Sequence, residues 1–309
     1  MMGFIGNVIK EQYEICGYIY EFQCEHKKIH EYVKGLLGYQ SCSEEQETHF
    51  KIVLKTDNYQ EMNLGENCIW ETKKVKVFTK DMHNFEAWID ADKICEMESL
   101  YYHLLSPIIK KTLCSSGLVY FHGACFEMGQ RGLVFLGERN AGKSTLSILE
   151  LLDGNKFLTD DCIFLDEDMV AKSLYRPIHI DPQMGEVLKI SDRISPDDKY
   201  LSKEKEVNYY PQKYHKSQIV QQLEVDAIIF LHLSDNEESK VIPLTPEQVA
   251  ERIGNYTEDY QLEKILAILS GVPAYSVTWG KRELKNIKNL HSMLVNIGCV
   301  KDYDVVVGE

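Results

Sequence analysis

The first hundred residues carry the period-two or aromatic-rich pattern of strands at YEICGYIYEF (13–22), HFKIVLKT (49–56), VKVFTKD (75–81) and NFEAWIDAD (84–92). Polar stretches such as SCSEEQET (41–48) separate them. LYYHLLSPIIKKTLCSSG (100–117) switches to helical spacing, interrupted at Pro107 and stopped near Gly117. Pro107 either bends this helix or restarts it at a first-turn position.

From residue 118 the pattern changes again. Two apolar strands, LVYFHGACFEM (118–128) and GLVFLG (132–137), are followed by a helix over 143–153 and a buried strand in FLTDDCIFLDED (157–168). AIIFLHL (227–233) and PAYSVTWG (273–280) are further strands; 245–253, 260–271 and 281–298 are helices. Thr245, Pro246 and Gln248 form a capping-box pattern at the first of these. The expectation is an α/β protein: a β-rich α+β domain over 1–117, then a layered α/β domain over 118–309. Residues 191–220 break the alternation. Their six basic and five acidic residues give about +1 in a chain of −14, and they read as a functional loop or a solvated insertion.

Charge narrows the function. With 34 Lys and Arg against 48 Asp and Glu among 309 residues, the balance argues against broad phosphate neutralisation, leaving only a local basic groove open, and no nucleic-acid partner is expected. No apolar run reaches the roughly 18 residues of a membrane span. Lys10, Glu11 and Glu14 interrupt any signal-peptide core. The nine cysteines are odd in number, scattered and without a CxxC pair, which suggests neither a disulfide framework nor a zinc site. A soluble, reduced, cytoplasmic protein is expected.

The chemistry concentrates at Gly137-Glu138-Arg139-Asn140-Ala141-Gly142-Lys143-Ser144, a G-x-x-x-x-G-K-[ST] motif lying between an apolar strand and a helix. Glycines let successive N–H groups turn inward onto phosphate oxygens, and the helix N-terminus adds partial positive charge. Lys143 reaches the β- and γ-phosphates, and the Ser144 hydroxyl is a Mg²⁺ ligand. Gly137, Asn140, Ala141, Gly142 and Thr145 complete the phosphate-binding set. Arg139 either contacts phosphate or nucleobase or faces solvent. Seventeen residues after Lys143 stand Asp160 and Asp161. Such a pair can divide the work, one acid holding Mg²⁺ and the other taking the proton of an attacking hydroxyl. His122, on the strand before the motif, is either a core histidine or part of this site. Arg176 pairs with phosphate or caps a strand. Lys203, Lys205 and Lys213, among Tyr200, Tyr209, Tyr210 and Tyr214, and the basic face of Lys281, Arg282, Lys285 and Lys288, either bind an acidic group or are solvated.

His122-Gly123, the P-loop and Thr159-Asp160-Asp161 together resemble the C-terminal domain of HPr serine kinase/phosphorylase, a family similar in fold to phosphoenolpyruvate carboxykinase. The resemblance covers about 118–168 and, more loosely, extends to about 298. It implies that His122 lies near the transferred phosphate, that Lys143 and Ser144 bind phosphate and metal, that Asp160 completes the metal site, and that Asp161 is the base. The family's downstream Glu-x-Arg-Gly stretch is missing, with Asp181 and Glu186 only loosely matching in position, and residues 1–100 differ from the usual N-terminal domain. The chain looks closer to HPr-kinase-related proteins of ribosomal-peptide biosynthesis, including kinases of lasso-peptide precursors. The implied activity is ATP- and Mg²⁺-dependent phosphorylation of a serine on a peptide or protein acceptor, within a homo-oligomer. A nucleotide-dependent regulatory binding protein, a plain NTPase and a small-molecule hydroxyl kinase stay open.

Overall fold

The computed structural model describes residues 8–56, 67–94, 97–193, 207–234, 239–257, 261–280 and 292–294. The chain divides into two units, Met1–Gly117 and Leu118–Glu309. Lys203, Lys205, Tyr200 and the basic face at 281–288 lie outside the described residues, as does nearly all of the helix expected at 281–298.

In the first unit the segment expected as one strand at 13–22 is a hairpin. Cys16 (φ 56°) and Gly17 (φ 87°) are both left-handed, the backbone that a two-residue turn requires, so β1 (Ile9–Ile15) folds back on β2 (Tyr18–Cys24). Helix α1 (Lys27–Leu37) buries Ile29, Val33 and Leu37 at four-residue spacing. It also supplies the long return that lets β3 (Phe50–Lys55) pair parallel to β2. With β4 (Cys68–Glu71), β5 (Val75–Thr79) and β6 (Asn84–Ile89) they form one mixed sheet, ordered β1-β2-β3-β6-β5-β4. The helix expected at 100–117 is in three parts: α2 (Met97–Leu100), a π-helical turn (Tyr101–Leu105), and α3 (Ser106–Ser115), with Pro107 in the first turn of α3. Pro107 therefore restarts the helix at a position where its missing N–H costs nothing.

The second unit is built on two sheets that exchange strands. The apolar run at 118–128 breaks at Gly123 into β7 (Val119–His122) and β8 (Ala124–Met128). After β9 (Arg131–Leu136) and α4 (Lys143–Leu152), the run at 157–168 breaks at Asp160-Asp161 into β10 (Phe157–Thr159) and β11 (Cys162–Leu165). Next come β12 (Val170–Lys172), β13 (Ile178–Ile180), α5 (Pro182–Val187), β14 (Val207–Tyr209), α6 (Pro211–Tyr214) and β15 (Gln222–Glu224). The unit continues through β16 (Ala227–Ser234), β17 (Lys240–Pro243), α7 (Pro246–Ile253), α8 (Leu262–Leu269) and β18 (Ala274–Gly280). Strands β8 and β10 belong to a six-stranded sheet, β10-β8-β9-β16-β18-β17; β7 and β11 belong to a four-stranded one, β15-β12-β11-β7. Both segments change sheet at the same level, because Gly123 N–H donates to the Asp161 carbonyl (3.1 Å) and His122 pairs with Cys162 in register.

The larger sheet is buried on both faces, which is why β16 reads as an unbroken apolar run. Phe126, Phe135, Ile229 and Val277 pack with Leu146, Ile148 and Leu151 of α4. Val134, Leu136, Ile228 and Phe230 pack with Val249, Ile253, Ile265 and Leu269 of α7 and α8 and with Ile163 and Leu165 of β11. The capping box of α7 is formed: Gln248 N–H donates to Thr245 Oγ1 (3.4 Å), and Thr245 N–H to Gln248 Oε1 (3.0 Å). Half of the expected 191–220 loop is packed structure instead. Val207 and Tyr209 join Ile178 and Ile180 in the core, and buried His215 bonds the Tyr209 hydroxyl (2.6 Å). Among the described residues no helix is long and apolar enough to cross a membrane.

Candidate phosphate-binding and acid-pair site

The loop 137–142 joins β9, in the middle of the large sheet, to α4. Gly137 lies where a Cβ would stand 2.6 Å from the Leu231 carbonyl oxygen and 2.9 Å from the Ala141 Cβ, so no side chain fits there. Asn140 (φ 64°) and Gly142 (φ 98°) are left-handed, and Gly142 caps α4 without a side-chain hydrogen bond. The backbone is thus wrapped so that α4 presents its first N–H groups to the loop, the geometry that binds anions at helix starts. Lys143 is buried, and its Nζ donates to the Gly137 (2.6 Å) and Glu138 (3.1 Å) carbonyls, which places the ammonium within the loop. Burial pulls its pKa down, and the charges of Asp160 and Asp161 oppose that. Ala141 and Thr145 are buried, whereas Arg139 and Asn140 are exposed on the rim.

Ser144 faces the sheet crossing, where its hydroxyl donates to Asp160 Oδ2 (2.8 Å). Asp160 is buried; loss of solvent first, and then the neighbouring Asp161 charge, push its pKa up to about 7. Asp161 differs. Burial would raise its pKa as well, but the Arg176 guanidinium and His122 outweigh burial and hold the carboxyl well below the usual range. Asp161 Oδ1 lies 3.0 Å from His122 Nδ1, and Oδ2 accepts from Arg176 Nη1. His122 is half exposed, so it forms the solvent side of the pair, while Arg176 (7% exposed) forms the inner side. The two acids sit in the bend between β10 and β11 and point apart, one toward Ser144 and the other toward His122 and Arg176.

Asp160 and Ser144 offer two hard oxygen ligands. Among the described residues there is no group of three or more His, Cys, Asp or Glu side chains that could hold a metal ion. That donor set fits Mg²⁺, which takes one or two protein ligands and fills its octahedron with water and substrate phosphates. Asp181 is exposed and caps α5 by accepting from Gln183 N–H (2.7 Å), and Glu186 is exposed on the same helix. Lys213 stacks its ammonium over Tyr210 at 4.4 Å. One site residue escapes sequence reasoning. His179 Nε2 lies 3.2 Å from Arg176 Nη2, and the only trace of it in the chain is a polar residue between Ile178 and Ile180.

No protein-family model matches the chain, and no characterised protein matches it in sequence. Among solved structures it is similar to the HPr(Ser) kinase/phosphatase from Coxiella burnetii, with 16% identity over 58% of this chain and 96% of that one and a TM-score of 0.34.

Proposed function

We propose that the second unit is an HPr-kinase-like P-loop kinase of phosphoenolpyruvate-carboxykinase-like architecture. It transfers the γ-phosphoryl group of ATP to a serine hydroxyl on a peptide or protein acceptor. The observation that carries this reading is the Ser144–Asp160 hydrogen bond, which joins the start of α4 to the acid pair. In this reading the amides of 137–145 and Lys143 hold the phosphates, with Arg139 and Asn140 at the rim. Ser144 and Asp160 would hold Mg²⁺, which when bound would supply charge neutralisation at the phosphates. Asp161 orients the acceptor hydroxyl and receives its proton, with His122 beside the transferred group. Each Asp161 oxygen retains a lone pair beyond its present partner, so the carboxylate can accept one further hydrogen bond. Its low basicity is tolerable because phosphoryl transfer depends on positioning and charge more than on base strength.

The resemblance carried by His122-Gly123, the P-loop and Thr159-Asp160-Asp161 supports the choice of a hydroxyl acceptor. The first unit serves to recognise that acceptor or to support the core, and cytoplasmic placement and homo-oligomer formation belong to the same proposal. The test is incubation with Mg·ATP and candidate serine peptides, read by mass. A product heavier by one phosphate, lost on Asp161→Asn, is expected; slow phosphate release alone would make the protein an NTPase. A second reading, nucleotide binding without turnover, is favoured by the engagement of both Asp161 oxygens. Binding of Mg·ATP with no product and no phosphate release would establish it.

A further inference from the structure

We propose that Arg176 and His179 are positioning residues, a two-member relay in which His179 fixes the Arg176 guanidinium and Arg176 fixes Asp161 for the reaction. The inference rests on the kinase reading above and assigns roles to two residues outside its motifs.

The relay is built from the segment between β12 and β13. Ser173 ties that segment to β11 by donating to the Cys162 carbonyl (2.8 Å), directly beside the acid pair. Pro177 then limits the backbone on either side of it. Ile178 and Ile180 are locked in the core, so the pleat turns His179 to the opposite face, where Arg176 Nη2 meets its Nε2 at 3.2 Å. The guanidinium is buried and spends one terminal nitrogen on Asp161 and the other on His179. A planar fork held at two points has one orientation, which the single rotatable ammonium of a lysine would not fix.

Arg176 can only donate, so the bond requires His179 Nε2 to be an acceptor and the ring to be neutral with its proton on Nδ1. Burial and the Arg176 charge favour the neutral ring, lowering its pKa to about 4. Register places Asn208 of β14 directly across from His179 on the same face, where it is buried with neither amide atom bonded to protein. The relay therefore ends against a polar wall rather than an apolar one.

Two measurements on the full chain test this. Long-range ¹H–¹⁵N spectra without nucleotide should show His179 as the neutral Nδ1–H tautomer; an Nε2–H tautomer or an imidazolium at pH 7 would overturn the relay. With Mg·ATP as the probe and phosphate release as the readout, His179→Leu and Arg176→Gln should each lower kcat by on the order of 100-fold. KM for Mg·ATP should stay within about threefold, since the relay acts on Asp161 and not on the groups proposed to hold the phosphates. The double variant should be no slower than Arg176→Gln alone, because the two act as one unit. His179→Gln keeps an acceptor near the Nε2 position and should recover at least about tenfold over His179→Leu. Equal rates for wild type and a folded His179→Leu, or a loss that appears in KM instead, would refute it. Absence of any phosphorylated product when wild type is given Mg·ATP and the serine peptides would fail the kinase reading on its own, and the tautomer would still decide the Arg176–His179 contact.

Discussion

Gly123 is the residue on which the site's assembly can be tested most directly. It stands between His122 and β8, where the chain leaves one sheet for the other. A Cβ there would lie 2.7 Å from the Phe135 carbonyl oxygen and 2.8 Å from Leu136 Cδ2. Phe135 pairs with Ala124 on one side and Ile229 on the other, so its carbonyl cannot retreat without loosening ladder bonds. Overpacking of this kind costs about 1–3 kcal/mol. Weakening one ladder bond adds about 1 kcal/mol, so Gly123→Ala should cost about 2–4 kcal/mol. At roughly 2–4 °C per kcal/mol for a unit of this size, the melting midpoint falls by about 4–16 °C. Gly254→Ala is the control. It has nothing within 4 Å of the added carbon and a helical φ of −57°, so it should be neutral or stabilise by up to about 1 kcal/mol. Thermal and urea unfolding monitored by tryptophan fluorescence would read both variants. Equal midpoints for Gly123→Ala and Gly254→Ala would show that the close approach at Gly123 is not real.

Lys143→Ala should weaken ATP binding by on the order of 10- to 100-fold, measured by titration with a fluorescent nucleotide, because a buried charge aimed into the loop is removed. Asp161→Asn should keep nucleotide binding within a few-fold while abolishing phosphoryl transfer, a split visible in parallel binding and mass assays. His179 ties stability to pH. Its folded pKa of about 4 lies below the unfolded 6.5, so the unfolded chain binds the extra proton between these values and stability falls as pH drops through that window. The loss approaches about 3 kcal/mol at pH 4, and urea unfolding at pH 7 and pH 4.5 should show His179→Gln losing less than wild type over the same interval.

What could be read from the chain was local. The strand–turn–helix at 131–152 was legible because the glycines, lysine and serine of its motif sit at fixed spacing between an apolar strand and an amphipathic helix. The acid pair was legible for the same reason. The breaks at His122-Gly123 and Asp160-Asp161 were not, because period-two alternation reports which face a residue takes and not which sheet its strand joins. The hairpin at Cys16-Gly17 was hidden because apolar residues continue on both sides of the turn. Arg176 was visible as a residue without a fixed role. Its grip on Asp161 and on His179 depends on where β13 and β14 pack, and no spacing in the chain encodes that. The packed stretch after 207 was masked by its own charges and tyrosines, although Val207 and Tyr209 supply the apolar anchors.

Two chain segments step from one sheet to the other side by side, linked by Gly123 and the Asp161 carbonyl. The crossing is therefore a joint, with His122 and Asp161 together on its small-sheet side, where His122 pairs with Cys162. A tilt of the small sheet against the large one carries both side chains as one body and changes their distance from Ser144 at the start of α4 instead. The spacing within the pair is set by one sheet, and its placement against the 137–144 turn by the other.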